Sequence, residues 1–301
     1  MRIAISGSTG FIGTQLTRNL ANKGHAVVTI GRGDINRGTR HLSLHLEGCD
    51  AVINLAGAPI NRRWTKAYKR TIVASRVETT RMLVEAMAQM DKSPKTFIST
   101  SGMGAFDTGG PYRESDVANA TDFLGELTFD WESAAWEGET LGMRVAVFRL
   151  SLVLGQQGGL MGRVLTPFRL GLGGPIASGK QHFSWIHIDD LINAYLLALE
   201  SPRFRGIYHL AAPNPVNNLA FTQTLGKVLN RPTPFRVPAI LLKLAYGEGA
   251  EVMTSGQCIV SERLEEAGFK FRHEELEQAL QAIVKSSGGG LCFNDFVDSR
   301  G

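Results

Sequence analysis

A doubly wound α/β fold built on a parallel sheet is predicted by three features of the sequence. Short apolar runs alternate with longer segments whose apolar residues repeat at helical spacing, the pattern of strands joined by crossover helices. Two of these runs, DAVINL at 50–55 and RVAVFRL at 144–150, are apolar almost without interruption, as expected of strands covered on both faces. The chain opens on RIAIS at 2–6, followed at once by glycines at 7, 10 and 13 and then by a helical pattern. Strand, glycine turn and helix in that order make a Rossmann phosphate-binding unit. The first glycine permits the tight turn, the second lets backbone approach a pyrophosphate, and the third packs helix on strand. The free N–H groups at the start of the helix then face the phosphates.

The elements follow in order. Residues 11–23 carry Phe11, Ile12, Leu16 and Leu20 at helical spacing, and Gly24 supplies the stop. Residues 25–30 form a second, β-branched strand. Just beyond such a strand lies the adenosine ribose, where a carboxylate accepts from a free 2′-hydroxyl and an arginine pairs with a 2′-phosphate. Gly31 and Arg32 occupy that place, which points to NADP, with Asp34 nearby as the opposing carboxylate. Residues 34–49 are polar and broken by glycine, with no assignable element. The strand at 50–55 runs into Leu55, Ala56 and Gly57, small residues at the carboxyl edge where ligands of open α/β sheets bind. Arg62, Arg63, Lys66, Lys69, Arg70, Arg76 and Arg81 make the densest basic stretch, on a helical pattern over 64–90. A solvated charged face is expected there, with Arg62 or Arg63 as the alternative, an anion ligand at the sheet edge.

Residues 95–101 (KTFISTS) read as a strand ending in hydroxyl side chains, 102–120 as a long functional loop, 121–141 as an acidic helix and 144–150 as a buried strand. Glycine and proline crowd 155–179, where no regular element of any length is expected. A strand at 182–188, a helix capped by Asp189 and running through Glu200, and a strand at 207–211 returning to the main sheet come next. Helical stretches at 218–229, 238–246 and 273–284 follow. The expected division is an NADP-binding Rossmann domain over 1–154, to which the strand near 207–211 returns, and a small α+β substrate region over 155–285. A frayed tail over 286–301 closes the chain.

Composition bounds the function. With 43% hydrophobic and 20% charged residues the 301-residue chain is globular, and a net charge of +4 is too mild for a nucleic-acid stripe. An anionic small ligand accounts for that charge equally well. The three cysteines, Cys49, Cys258 and Cys292, stand far apart, which excludes a CxxC metal motif and fits a reducing compartment. The first strand starts directly after Met1, leaving no room for a signal peptide, and the apolar run at 238–246 is too short to cross a bilayer. The expectation is a cytoplasmic protein with no metal, no nucleic-acid partner and no membrane partner, in an oligomeric state the sequence leaves open.

Together these residues resemble the extended or atypical short-chain dehydrogenase/reductases of the epimerase type. Within them the likeness is to a bacterial and eukaryotic subgroup labelled "epimerase family protein", in places "cell division inhibitor". The resemblance rests on GSTGFIG at 7–13, NLAG at 54–57, Arg63-Trp64, Ser75-Arg76 with Thr79-Thr80, and Trp131-Glu132. PFRLGLGGPI at 167–176, WIHIDD at 185–190 and RLEEAGF at 263–269 complete it, so that it covers nearly the whole chain apart from the tail. It implies a Rossmann domain binding NADP (NADPH) and a small C-terminal region for an anionic or carbonyl, sugar-like substrate. The expected cofactor contacts are Gly7, Ser8, Thr9, Gly10, Phe11, Ile12, Gly13, Arg32, Leu55, Ala56, Gly57, Ser99 and Arg149.

The superfamily's chemistry uses a tyrosine as proton donor or acceptor, a lysine four residues later, and a serine or threonine on the substrate oxygen. That spacing puts phenol and ammonium on one helix face, where the cation stabilises the phenolate. Ser101 matches the serine. The tyrosines are Tyr68, Tyr112, Tyr195, Tyr208 and Tyr246, followed four residues on by Ile72, Asp116, Leu199, Ala212 and Ala250, none of them lysine. The acidic helix over 121–141 contains neither tyrosine nor any basic residue. The acid/base candidates are therefore Ser101, Tyr112 and His187, with Arg169 and Lys180 as candidates for an anionic substrate. The resulting expectation is an NADP-dependent oxidoreductase or nucleotide-sugar-epimerase-like enzyme of altered mechanism. The alternative is a non-catalytic NADP(H)-binding sensor that acts through a protein partner.

Overall fold

The computed structural model describes residues 1–156 and 158–286. The chain begins with β1 (Arg2–Ser6), α1 (Phe11–Asn22), β2 (Ala26–Ile30), the short helices α2 (Arg32–Asn36) and α3 (Thr39–His45), and β3 (Ala51–Asn54). Next come α4 (Lys66–Val73), α5 (Thr79–Ala88), β4 (Thr96–Gly102), β5 (Gly109–Tyr112), α6 (Phe123–Trp136) and β6 (Arg144–Leu150). The second part contains β7 (Leu152–Leu154), α7 (Met161–Arg169), β8 (His182–Phe183), β9 (Trp185–His187), α8 (Ile188–Glu200) and β10 (Gly206–Leu210). It closes with β11 (Val216–Asn217), α9 (Asn218–Leu229), α10 (Ala239–Tyr246), α11 (Glu251–Thr254), β12 (Gln257–Ile259), α12 (Glu262–Glu266) and α13 (Leu276–Ser286). The expected tail over 286–301 falls, after Ser286, outside the described residues.

A six-stranded sheet in the order β10-β6-β4-β3-β1-β2 forms the centre, and every adjacent pair is parallel. Strand side chains alternate between its faces. Ile3, Ile5, Ile98 and Phe148 pack with Leu16 and Leu20 of α1 and with Leu191, Tyr195 and Leu199 of α8. Ala4, Val52, Phe97 and Val147 pack on the other face with Leu42 of α3, Leu83 and Met87 of α5 and Ala135 of α6. The chain leaves β1 for β2 on one side and reaches β3 on the other, so the topological switch point lies between β1 and β3. β10 returns to the main sheet beside β6, as expected.

Four local expectations are corrected. The polar stretch over 34–49 contains α3, whose buried Leu42 anchors it to the sheet. The helical stretch over 64–90 is broken by a π-helical turn at Ala74–Glu78. The glycine-rich segment does contain a helix, α7, because Met161, Leu165 and Phe168 bury one face in a second core with Trp185, Phe221 and Leu280. Burial outweighs propensity there, and Pro167 sits in the last turn. The strand over 182–188 splits at Ser184, whose hydroxyl donates to the Gln257 carbonyl while accepting from the Ile259 N–H.

The basic stretch clamps the two parts of the chain together. Arg63 donates to the Leu244 carbonyl at 2.6 Å, the Trp64 N–H to the Tyr246 carbonyl, and Lys69 pairs with Glu248. Across the gap Arg163 of α7 donates to Asn61 at 3.1 Å. Arg63 and Lys69 are therefore committed to protein partners, not solvated charges.

One buried polar side chain fixes the carboxyl edge. Asn54 Oδ1 accepts from Ser6 Oγ at 2.5 Å and from the Ala56 N–H at 3.3 Å, while Asn54 Nδ2 donates to Thr80 Oγ1 at 2.8 Å. Thr80 in turn donates to the Arg76 carbonyl at 2.6 Å. Asn54→Ala leaves these groups without partners in a dry site and is expected to lower stability by about 2–3 kcal/mol in urea unfolding. A loss below about 0.5 kcal/mol would contradict the role assigned to this network.

Candidate functional site

At the switch point the loops after β1 and β3 touch. Gly7 has φ +70, and a Cβ there would lie 2.6 Å from the Leu55 carbonyl oxygen; a Cβ on Gly13 would lie 2.2 Å from the Gly7 oxygen. Both contacts require glycine, for the turn and for the packing of α1. Gly10 caps α1 without a side-chain hydrogen bond, and no acidic residue stands in the first turn. The first helical acceptor is used by the Thr14 N–H, so the N–H groups of Phe11, Ile12 and Gly13 point out of the helix start unmatched, a seat for an anion. Ser8 lies in this turn, its carbonyl accepting from Thr14 Oγ1, and Thr9 is exposed. The Phe11 ring packs against Gly155 and Gly158 of the segment after β7.

The loop after β3, Leu55 to Gly57, is stitched to the π-helical turn. The Ala58 N–H donates to Ser75 Oγ at 2.9 Å, and Arg76 Nη2 donates to the Ala58 carbonyl at 3.0 Å. A Cβ on Gly57 would meet the Arg76 guanidinium at 3.0 Å, so this glycine leaves the room that Arg76 occupies. On its other side the guanidinium stands 5.3 Å from the Trp131 ring. No carboxylate lies within ion-pair reach of Arg76 among the described residues. Burial pushes its pKa down to about 10, which still leaves it charged at neutral pH. A guanidinium without a carboxylate partner, held against the loop after β3, can hold a phosphate.

After β2, Arg32 and Asp34 are placed differently. Asp34 turns back, Oδ2 accepting from the Gly31 N–H at 2.9 Å and Oδ1 facing His41 Nε2 at 3.2 Å. The Gly31 bond is the main cause holding its carboxyl below the usual range. Arg32 is exposed and makes no ion pair among the described residues.

At the end of β4 the expected serine has an unexpected partner. Ser101 Oγ donates to Glu132 Oε1 of α6 at 2.7 Å, and Arg149 of β6 grips the same carboxylate with Nε and Nη2, both at 2.8 Å. All three side chains are buried. Arg149 Nη1 has no partner, so that nitrogen alone is open to a ligand. Ser99 is buried in β4, opposite Asn54 in register. Tyr112 stacks on Phe106 at 4.5 Å, and the Arg149 guanidinium lies 5.1 Å from that same ring. The fold thus gathers Ser101, Tyr112 and Arg149 into one cluster. A cavity of about 640 Å³ opens beside it, with Ala105, Thr128, Glu132 and Arg149 in its wall. Another cavity, of about 470 Å³, lies at the amino edge of the sheet around Cys49, Gln89 and Lys95, away from these groups.

The same cluster holds two perturbed groups. His209 is fully buried, and burial, aided by the charge of Arg149, drops its pKa to about 4. Glu114 accepts from the His209 N–H at 3.0 Å, and burial raises its carboxyl above the usual range.

His187 stands elsewhere, at the end of β9. It, and not Asp189, caps α8, its Nδ1 accepting from the Asp189 N–H at 3.2 Å. Burial first, then His273, lowers its pKa to about 4, which makes it a neutral packed imidazole at physiological pH. Arg169 and Lys180 are exposed, and the Arg169 carbonyl accepts from Arg231.

Sequence reasoning missed Glu132 as the partner of Ser101 and Arg76 as the cation of the β3 loop. Arg76 did leave a signal: it falls at helical spacing between Ile72 and Thr80, both buried, where a solvated charge has no place. Glu132 was marked only by its place in the Trp131-Glu132 pair, which says nothing of Ser101, and is otherwise one of several acidic residues on α6.

The model of the NAD dependent epimerase/dehydratase family matches residues 3–211, and that of a domain of unknown function, DUF1731, matches residues 237–283. The chain is similar to epimerase family protein SDR39U1 of Homo sapiens, 37% identical over 295 residues, covering 94% of this chain and 100% of that protein. The chloroplastic SDR39U1 homologue of Arabidopsis thaliana is 34% identical over 304 residues, covering 95% of this chain and 87% of that protein. The crystal structure of human SDR39U1 (isoform2) with NADPH superposes with a TM-score of 0.87 at 34% identity, covering 95% of this chain and 99% of that one. UDP-glucuronic acid 4-epimerase from Bacillus cereus, in complex with NAD, shares the fold with a TM-score of 0.76 at 18% identity, covering 95% and 98%. Among the described residues no helix is long and apolar enough to cross a membrane.

Two stability predictions follow from this cluster. Glu132→Ala strands a buried arginine and is expected to cost roughly 3–5 kcal/mol, whereas the Glu132→Ala/Arg149→Met pair costs clearly less than the sum of its parts. Additive losses in urea unfolding would refute the coupling. For His209, a pKa near 4 when folded and near 6.5 when unfolded means that its contribution is complete above pH 6.5 and is lost as pH falls toward 4. The wild type should lose roughly 3 kcal/mol more than His209→Gln between those limits. Glu114 acts in the opposite sense in both proteins, so parallel pH profiles would overturn the assignment.

Proposed function

The chain belongs to the NAD dependent epimerase/dehydratase family, and we propose that it is an NADP(H)-binding member of that family acting on a small anionic or carbonyl, sugar-like molecule. The observation that carries the reading is the division of labour after β2. Asp34, the carboxylate that would accept from a ribose 2′-hydroxyl, is taken by Gly31 and His41, while Arg32 stands free for a 2′-phosphate. The outward N–H groups of α1 and the Arg76 guanidinium then serve the remaining phosphates, with Leu55, Ala56 and Gly57 as the backbone wall. NADP(H), when bound, supplies hydride transfer. A human relative crystallised with NADPH supports the choice of nucleotide.

Turnover rests on Ser101, whose hydroxyl is polarised by Glu132 and stands as the acid/base candidate, since no tyrosine in the chain has a lysine four residues on. The same bond favours a second reading, a non-catalytic NADP(H) sensor. A serine whose proton is committed to a carboxylate is a poor donor to a substrate carbonyl. Operation in the cytoplasm belongs to the first reading and suits Cys49 and Cys258, both buried free thiols.

Arg32→Ala is expected to weaken NADPH binding by about 1.5–3 kcal/mol and NADH binding far less. Arg76→Met should weaken both nucleotides alike, by about tenfold or more. Equal losses for the two nucleotides in Arg32→Ala would defeat the NADP assignment. Oxidation of NADPH by the pure protein across a panel of carbonyl and sugar compounds decides the remaining choice: turnover that disappears in Ser101→Ala excludes the sensor, and its absence across the panel favours it.

A further inference from the structure

A second cluster of polar side chains lies outside the proposed cofactor site, where α8 begins. His187 ends β9, Asp189 sits in the first turn of α8, and His273 arrives from the segment that leads into α13. Asp189 Oδ2 is 3.6 Å from His187 Nδ1 and 3.9 Å from His273 Nε2, and the two imidazole rings face each other with centroids 3.8 Å apart. One nitrogen from each histidine and one carboxylate oxygen all lie within 4.8 Å of one another.

We propose that His187, Asp189 and His273 bind a divalent first-row transition-metal ion of the zinc class. Two imidazole nitrogens and one carboxylate oxygen form a mixed nitrogen and oxygen set that suits zinc, cobalt or nickel, whereas magnesium and calcium take oxygen alone. Ligands at about 2.0–2.2 Å around a tetrahedral ion stand about 3.4 Å apart, so the carboxylate–imidazole separations close by a few tenths of an ångström while the two imidazoles turn out of their present face-to-face arrangement. His187 Nδ1 is an acceptor here, taking the Asp189 N–H at 3.2 Å, and a bound ion would take the place of that long bond.

The scaffold around the cluster is preformed. Asp190, fully buried, accepts the backbone N–H groups of Arg272 at 2.8 Å and His273 at 3.0 Å, which fixes residue 273 against the start of α8. His187 is held by burial, and its strand position pairs with Leu154 of β7. Asp189 is half exposed, which leaves a path for the ion and an open position for water. A bound ion would cross-link the segment entering α13 to the end of β9, and so tie the C-terminal region to the sheet. The chain spacing of the two histidines is too wide to read as a metal motif.

Calorimetric titration of the chelator-treated full chain with Zn²⁺, and with Co²⁺ as a visible-absorption reporter, tests the site. One equivalent should bind with micromolar or tighter affinity, Co²⁺ should show d–d bands, and the melting temperature should rise with Zn²⁺. His273→Ala and Asp189→Asn, both at partly exposed positions that folding tolerates, should each weaken Zn²⁺ by about 100-fold or more. His25→Ala, beside the amino terminus, should leave binding unchanged. The proposal fails if no binding is seen at micromolar metal, or if affinity is the same in His273→Ala as in the wild type.

Discussion

Asn54 is the side chain on which the carboxyl edge depends, because it satisfies Ser6, Ala56 and Thr80 at once in a place no water reaches. Through Thr80 the network extends to the carbonyl of Arg76 inside the π-helical turn. The extra residue in that turn brings Ser75 and Arg76 onto the loop after β3, and π turns inside α-helices are often found at functional sites for this reason. Gly57 then leaves the guanidinium the space a methyl would take. A cation held this way without a carboxylate is costly in a protein alone and favourable beside an anion. The glycine turn after β1 offers the matching half, a helix start with no acidic residue of its own.

The neighbouring chemistry is built differently. Ser101, Glu132 and Arg149 form a buried serine–carboxylate–guanidinium chain across β4, α6 and β6. Glu132 lies on the face of α6 that follows Leu124 and Thr128, the residues that press on Gly104 just after Ser101. Along this face α6 presents leucine, threonine and a carboxylate, and that carboxylate is held by Arg149. The proposed cofactor seat at the β1 and β3 loops and the proposed proton-transfer group, the Ser101 hydroxyl, therefore rest on separate parts of the chain.

Much of the fold was legible because its signals are local. The apolar run at 144–150 and the helical stretch at 218–229 coincide with β6 and α9, and the glycine spacing places the first turn. The losses have physical causes. A π turn inserts one residue without breaking the apolar stripe, so 64–90 reads as one helix. α7 has poor intrinsic propensity and exists because Met161, Leu165 and Phe168 find a core supplied by distant segments. Within the candidate site Arg32 was visible, since position after a strand is a sequence property, but the diversion of Asp34 toward His41 was not. Arg76 was hidden inside a basic run, and Glu132 inside an acidic helix. His187 and His273 come together only through the packing of the segment before α13 on the start of α8.

We propose the junction of the β1 and β3 loops, with Arg32 free and Asp34 diverted, as a site for a 2′-phosphorylated dinucleotide. The most direct measurement is calorimetric titration of the unmodified protein with NADPH and with NADH under identical conditions. The account predicts one site per chain, with NADPH bound at least about tenfold more tightly than NADH, the discrimination expected of one charge-assisted phosphate contact. Equal affinity for the two nucleotides, or no binding of either, would contradict it.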